Sequence, residues 1–368
     1  MCSSVRNLVA LSLMPSFNSG TNIEFISRCG GINAMFEETS SAYNALCKDF
    51  NYDKRSLNRN EALALVDKEL ALIEKNNISV CSIESSLYPY LLKQIIDYPI
   101  VFYYKGNINY PPRCKTLSIV GTRNASVACK DSINGIVDLL STCSDDIVIT
   151  SGLAYGIDAC AHRAALQSNL RTFAVLGHGL NKIYPAAHAN LAKEILNSNG
   201  ALISEFPISL SISPNNFLKR NRIVAGLSAA TLIGESAIKG GSMTTARLAL
   251  AYNRDVFAIP GRPSDTYSRG CNQLIKENVA ALVESGNDLI KLLGMNERSK
   301  QVQTKLNIFD EDPDAELILS IITKKQNCHI DDLVHLSKFS IARINSLLIQ
   351  LEMENKIQSL LGSCYCVK

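Results

Sequence analysis

The run Pro214-Asn-Asn-Phe217-Leu-Lys219-Arg220-Asn221-Arg222 holds three cations within four positions, with an aromatic ring just ahead of them. Cations neutralise phosphates and a nearby ring stacks on an unpaired base, so the combination suits single-stranded nucleic acid. A solvated helix face is the ordinary account of a charge run, but such a face usually carries balancing acids. Here they are missing. Between Asn215 and Arg262 stand Lys219, Arg220, Arg222, Lys239, Arg247, Arg254 and Arg262 against Glu235 and Asp255, a net +5 in a chain whose total is +3.

Other segments suit anions as well. Thr116-Leu-Ser-Ile-Val120 runs into Gly121-Thr122-Arg123. Glycine lets a phosphate approach the backbone, the next helix offers N–H groups, and arginine adds a fork of charged donors. Ile147-Val-Ile-Thr150 runs into Ser151-Gly152-Leu-Ala-Tyr-Gly156-Ile-Asp158, a second close-approach loop with Asp158 as a candidate helix cap. His162 follows one turn later. An N-terminal Asp with a partly buried His explains the pair better than a catalytic or metal site does. In Glu235-Ser236-Ala-Ile-Lys239-Gly240-Gly241-Ser242-Met-Thr244-Thr245-Ala246 the two glycines free the backbone, hydroxyls cap a helix, and Lys239 adds charge. Gly177-His178-Gly179 lacks a third glycine, because Lys182 occupies that position, and no acid follows where a ribose partner belongs. It is therefore not read as a dinucleotide site, and no Walker A run occurs.

These loops need strands to hold them. Short apolar runs at Thr116–Val120, Ile147–Thr150, Thr172–Leu176, Ala201–Ser204, Thr231–Ile233, Val256–Ile259 and Ala280–Val283 alternate with helical stretches such as Ala125–Leu140 and Ser242–Asn253. That alternation predicts an α/β fold: an extended Rossmann-like, doubly wound, mostly parallel sheet over 78–296, with functional loops at the carboxyl ends of its strands. Residues 1–77 read as a small helical N-terminal domain, helix-hairpin-helix-like or SAM-like. Its Phe17-Asn-Ser-Gly20 turn is poor in glycine, so plain helical packing is favoured over phosphate binding. A polar linker is expected over 297–312. Residues 313–368, three helical periods and a hairpin across Gly362-Ser363, predict a winged-helix-like domain.

Composition narrows the class. Apolar residues at 46% and charged residues at 19% supply a core and exclude wholesale disorder. A net charge of +3 over 368 residues excludes a histone-like protein. Twelve cysteines without a C-x-x-C pair read as reduced, mostly buried thiols of a cytoplasmic protein, not as a zinc site. No stretch approaches a membrane span, and Leu8–Met14 reads as a first helix rather than a signal peptide.

In their order along the chain these motifs resemble the DNA-processing protein A (DprA/Smf) family. The resemblance rests on Gly121-Thr-Arg123, Ser151 through Asp158, Ile183-Tyr-Pro185, Ser204-Glu205, Phe217 through Arg222, Gly241-Ser242 with Thr245-Ala246, and Ile259-Pro-Gly261. Tyr88-Pro89 and Pro99 through Asn107 add to it. It covers about 80–290 strongly. It implies a cytoplasmic bacterial protein that binds single-stranded DNA and loads RecA recombinase onto it, usually in natural transformation. It further implies a homodimer built through the Rossmann-like domain, with no metal and no cofactor. Carried over by position, Gly121, Thr122, Arg123, Ser151, Gly152, Phe217, Lys219, Arg220, Asn221, Arg222, Lys239, Gly240, Gly241, Ser242 and Thr244 would line the DNA pocket. Three positions depart from the family pattern: Asn181 before Tyr-Pro, Glu277-Asn278 after Asn272-Gln-Leu-Ile275, and Lys239-Gly240-Gly241.

The competing class is an enzyme that cleaves nucleoside monophosphates at the N-glycosidic bond, which would need a carboxylate near the phosphate loop. Glu205 and Glu235 are the candidates. The preferred account has Glu205 holding its loop through backbone N–H groups and Glu235 orienting an arginine. Arg220→Glu is expected to abolish DNA binding with little loss of melting temperature.

Overall fold

The computed structural model describes residues 3–14, 17–37, 47–49, 59–111, 114–143, 146–295, 312–325, 328–353, 356–360 and 363–367. The chain divides into two compact units, Met1–Arg298 and Ser299–Lys368.

The first unit is built on nine strands: β1 Ser79–Ser82, β2 Val101–Gly106, β3 Lys115–Val120, β4 Ile147–Ser151, β5 Arg171–Val175, β6 Ala201–Ser204, β7 Ala230–Ile233, β8 Asp255–Ala258 and β9 Ala281–Leu282. Their order is β1-β2-β6-β5-β4-β3-β7-β8-β9, and every pair from β6 to β9 is parallel. The expected doubly wound sheet is present, each anticipated strand within a residue or so of its place. Two strands were not anticipated. β1 and β2 extend the sheet antiparallel beyond β6, and strand–helix alternation does not signal an antiparallel extension.

Strand residues alternate between two apolar layers. Leu117, Ile119, Ile147, Ile149 and Leu232 pack on one face with the helices Val127–Ser141, Ile157–Gln167 and Gly286–Leu292. Val120, Val148, Phe173, Ile203 and Ile233 pack on the other with Pro214–Gly226 and Gly241–Ala251. With both faces covered, the strands are predominantly apolar, with small hydroxyl residues such as Ser118 and Thr172 bonded to backbone, which is why they read as short continuous runs.

The winding reverses between β3 and β7, which are neighbours in the sheet although β4, β5, β6 and their crossover helices separate them in sequence. Loops leaving their carboxyl ends diverge to opposite faces, so a crevice opens between them. Gly121-Thr122-Arg123 leaves β3 there, and Gly234-Glu235-Ser236 leaves β7.

The N-terminal helices Ser3–Ser12, Ile23–Arg28 and Arg59–Lys75 share a core with the sheet edge: Leu11, Phe17, Phe25 and Val66 join Ile100, Val101 and Tyr103. The Phe17–Gly20 turn faces protein. The Asn18 amide accepts from Val101 N and donates to Val101 O, both at 2.8 Å, as a pairing strand would. Gly20 N donates to Tyr98 O at 2.7 Å. The packing role favoured for this turn therefore accounts for its geometry. Glu69, 1% exposed, accepts from the backbone N–H groups of Ile208 and Ser209 at 2.6 and 3.1 Å, tying the long helix to the loop after β6.

The linker expected over 297–312 lies, apart from Asp312, outside the described residues. The second unit holds helices Pro313–Lys325, Ile330–Ser337 and Ile341–Met353 with a three-stranded sheet. Its strands are β10 Cys328–His329, β11 Ile357–Leu360 and β12 Cys364–Val367, ordered β10-β12-β11. This is the anticipated winged helix. Arg343, the one cation of its third helix, is held by Asp312 at 2.6 Å and Asp314 at 2.9 Å, which neutralises it. Among the described residues no helix is long and apolar enough to cross a membrane.

Candidate nucleic-acid interface

Three strand-end loops are bonded to one another around the crevice. Thr122 N donates to Glu235 O at 2.7 Å, and Ile157 N donates to Thr122 O at 3.2 Å. Gly121 has no room for a side chain, since a Cβ there would meet Ile157 and Glu235 O. The helix after β3 is capped by Ser126, whose Oγ accepts from Cys129 N at 3.1 Å. Glu235 holds that cap by accepting from Ser126 N at 2.8 Å and Ser126 Oγ at 2.6 Å.

The cavity between these loops measures about 330 Å³. It brings together Gly121, Thr122, Arg123, Phe217, Arg220, Asn221, Gly240, Gly241 and Ser242 from three separate segments, as the motif reading expects. Gly240 opens the helix Gly241–Ala251, so the first N–H groups of that helix face the cavity end-on, where they attract anions. Ser242 Oγ donates to Ser236 Oγ at 2.7 Å and holds that turn.

Arg220 forms the floor. It is 5% exposed, and its Nη1 donates to Val175 O at 3.0 Å. Gly152 is required beneath it, because a Cβ there would occupy the place of the guanidinium. Burial pushes the Arg220 pKa down and the neighbouring Asp158 carboxylate pushes it back up. Burial likewise raises the Asp158 pKa, opposed by the Arg220 charge. The pair is a fixed, desolvated charge site. The expectation that Arg220→Glu would leave stability intact is therefore corrected: a glutamate there would bury a second carboxylate beside Asp158, a costly arrangement.

Phe217 is half-buried above Gly177, with its ring 5.7 Å from that of Tyr184. Ser151 lies wholly inside the sheet and donates to Ile119 O at 2.6 Å. Lys239 is exposed on the loop before Gly240. Lys219, Arg222 and Thr244 line a second cavity of about 470 Å³ instead. There Arg222 is paired with Glu205 and lies 3.9 Å from Asp97, and its Nη1 donates to Asp97 O at 2.6 Å. Arg254, another of the counted cations, donates to Leu91 O at 2.9 Å and Gln94 Oε1 at 3.0 Å. The charge imbalance read along the chain is thus partly neutralised in space.

The two glutamates exchange the roles expected of them. Glu235 bonds a backbone N–H, while Glu205 orients an arginine. The reason is adjacency. Glu235 at the end of β7 sits beside the helix that follows β3, and Glu205 after β6 sits beside the helix that carries Arg222. Among the cavity residues that sequence reasoning did not assign to the pocket are Asp158, whose charge acts on Arg220, and Tyr267, a 36%-exposed ring. Ser236 N donates to the Tyr267 carbonyl at 2.6 Å and Asn124 Nδ2 donates to its hydroxyl at 3.0 Å, contacts with no local signature.

His162 is fully buried rather than partly so, and its Nδ1 meets Thr172 Oγ1 at 2.7 Å. Burial lowers its pKa from 6.5 to about 3. The unfolded chain takes up this proton below pH 6.5 and the folded chain does not, so stability must fall as pH drops from 6.5 toward 3. The slope is up to ~1.4 kcal/mol per pH unit. Urea titrations on either side of pH 6.5 are expected to show wild type losing more stability on acidification than His162→Gln; equal losses would refute the assignment.

Fold and cleft together define a doubly wound α/β protein whose switch point holds a cleft lined by Arg123, Arg220 and a helix start, with a winged helix in a second unit. The chain belongs to the DNA recombination-mediator protein A family, whose profile matches residues 79–294; the DprA winged helix domain matches residues 303–363. It is 39% identical to protein Smf of Escherichia coli over 219 residues, 60% of this chain and 58% of that protein. It is 38% identical to the DNA processing protein DprA of Streptococcus pneumoniae over 209 residues, 57% of this chain and 72% of that one. The chain thus spans just over half the length of the Escherichia coli relative. The X-ray structure of the pneumococcal protein superposes with a TM-score of 0.64 at 30% identity, over 77% of this chain and 97% of that one. A DNA processing protein A structure from Helicobacter pylori, described for its single-stranded DNA binding mode, gives 0.52 at 28% identity over 58% and 95%.

Proposed function

We propose that this chain binds single-stranded DNA in the switch-point cleft and loads RecA recombinase onto it, as a recombination mediator rather than an enzyme. One observation carries the reading: Arg123, Arg220, Asn221, Phe217 and the Gly240–Ser242 helix start converge on a single cavity. Arg220 is positioned by its hydrogen bond to Val175 O, with the Asp158 charge nearby, and serves as a pre-oriented phosphate receptor. Pre-organisation lowers the ordering cost of binding. Arg123, exposed at the rim, neutralises a further phosphate, and Phe217 offers its free face to a base. The description of the Helicobacter relative supports the same ligand class.

An enzymatic role finds no free carboxylate at the candidates named, since Glu235 holds Ser126 and Glu205 holds Arg222. RecA contact, a homodimer through the Rossmann-like domain, a cytoplasmic location and a role in natural transformation complete the proposal by family membership. For the winged helix, neutralisation of Arg343 favours a protein contact over the major groove of a duplex.

A salt titration of oligo-dT binding against the matching duplex tests the reading. Log affinity is expected to fall with log salt at about −0.7 per phosphate contacted, with oligo-dT bound more tightly than duplex. Affinity flat in salt, or preference for the duplex, would sink it.

A further inference from the structure

Arg123 stands between two cavities. One is the cleft. The other, about 870 Å³, opens between the helices Val127–Ser141 and Ile157–Gln167. Its lining includes Lys130 and Asn134, one turn apart on the first helix, and Arg163 and Gln167, one turn apart on the second. Among the described residues no carboxylate lines it. Each wall therefore presents a cation and an amide, the groups that meet phosphates and base edges.

Two cations on solvated helix faces would be unremarked by themselves. Tyr155 sets this groove apart from a solvated helix face. It is 49% exposed, yet its ring is seated edge-on against His188 at 5.0 Å between centroids. His188 is buried and fixed in turn by Leu153 O at 2.8 Å from its Nδ1. The loop carrying Tyr155 is locked to the loop carrying Arg123: Gly156 has φ +75° and no space for a Cβ against the carbonyls of Thr122 and Arg123. An exposed aromatic on so rigid a mount loses little freedom when a base stacks on it. Only an unpaired base offers its face.

We infer that the DNA strand leaves the cleft over Arg123 and continues along this groove, Tyr155 stacking on a base while Lys130 and Arg163 meet phosphates. This extends the single-strand reading of the cleft and rests on it. The chain contains no tryptophan, so Tyr155→Trp places a lone reporter in the groove. Its emission is expected to be quenched by a long oligo-dT and to change much less with a short one that fills only the cleft.

The Lys130→Gln/Arg163→Gln double variant is expected to flatten the log–log salt slope for the long oligo-dT by about 1.4, two phosphates' worth. Its binding of the short oligo should stay unchanged. Tyr155→Ala is expected to weaken long-oligo binding roughly 5- to 150-fold, the range for one stacked base, with Tyr155→Phe close to wild type. If wild type binds oligo-dT with normal salt dependence while the double variant keeps the full slope and the tryptophan emission does not respond, the groove lies off the track and the cleft reading survives. If wild type does not bind oligo-dT at all, both fall.

Discussion

Arg123→Glu is expected to lower affinity for oligo-dT about a hundredfold with the melting temperature unchanged. The side chain is exposed and makes no ion pair among the described residues, so its loss removes nothing from the fold. A hydrogen bond to a charged group is worth ~1.5–3 kcal/mol, and reversing the charge adds repulsion from the phosphate chain. Anisotropy titrations beside thermal melts check both halves. Near-normal binding would move the strand away from the switch point. Arg220→Glu cannot serve this purpose, since it introduces a buried carboxylate beside Asp158 and confuses unfolding with lost contact.

The second large effect concerns stability. Arg222→Ala is expected to destabilise the protein by about 3–5 kcal/mol, because Glu205, 8% exposed, would then be left as a buried charge without its partner. Burial already raises the Glu205 pKa, and the Arg222 charge, with a smaller part from Lys219, opposes that rise. The double variant Glu205→Leu/Arg222→Met is expected to lose less than the single one, since no desolvated charge is stranded between those two positions. Urea denaturation reads the difference. A loss below about 1 kcal/mol in Arg222→Ala, together with collapsed DNA binding, would assign Arg222 to a phosphate instead.

The comparison of charge along the chain with charge in space is instructive. Arg123 and the Gly240-Gly241-Ser242 turn were legible because a glycine at a strand end followed by a cation or a capping hydroxyl is a local arrangement. The parallel core was legible for a related reason: strands buried on both faces, such as Ile147–Ser151, are predominantly apolar, and the hydroxyls they carry, such as that of Ser151, are satisfied inside the sheet. In the cation run the charge of Arg222 is balanced by Glu205, whereas Arg254 keeps its charge and is turned to neutral carbonyl oxygens. Arg222 meets Asp97, 125 residues away, and Glu205, 17 residues away. Arg254 bonds Leu91 and Gln94. Sequence distance hides such partners. β1 and β2 were missed because Ser79–Ser82 is short and polar, and because their antiparallel pairing breaks the alternation that announced the other strands. Asn18 imitating a strand partner for Val101 has no signature either.

Amino-acid order alone therefore determined the layered α/β architecture, the winged helix and the strand-end loops that suit anions, since all of these follow from hydrophobic period and local backbone freedom. Tertiary structure decided which cations face solvent, which are locked against carboxylates, and that Tyr155 stands beside Arg123. Charge neutralisation and burial depend on distances between segments far apart in the chain, and the crossing of the sheet sets those distances.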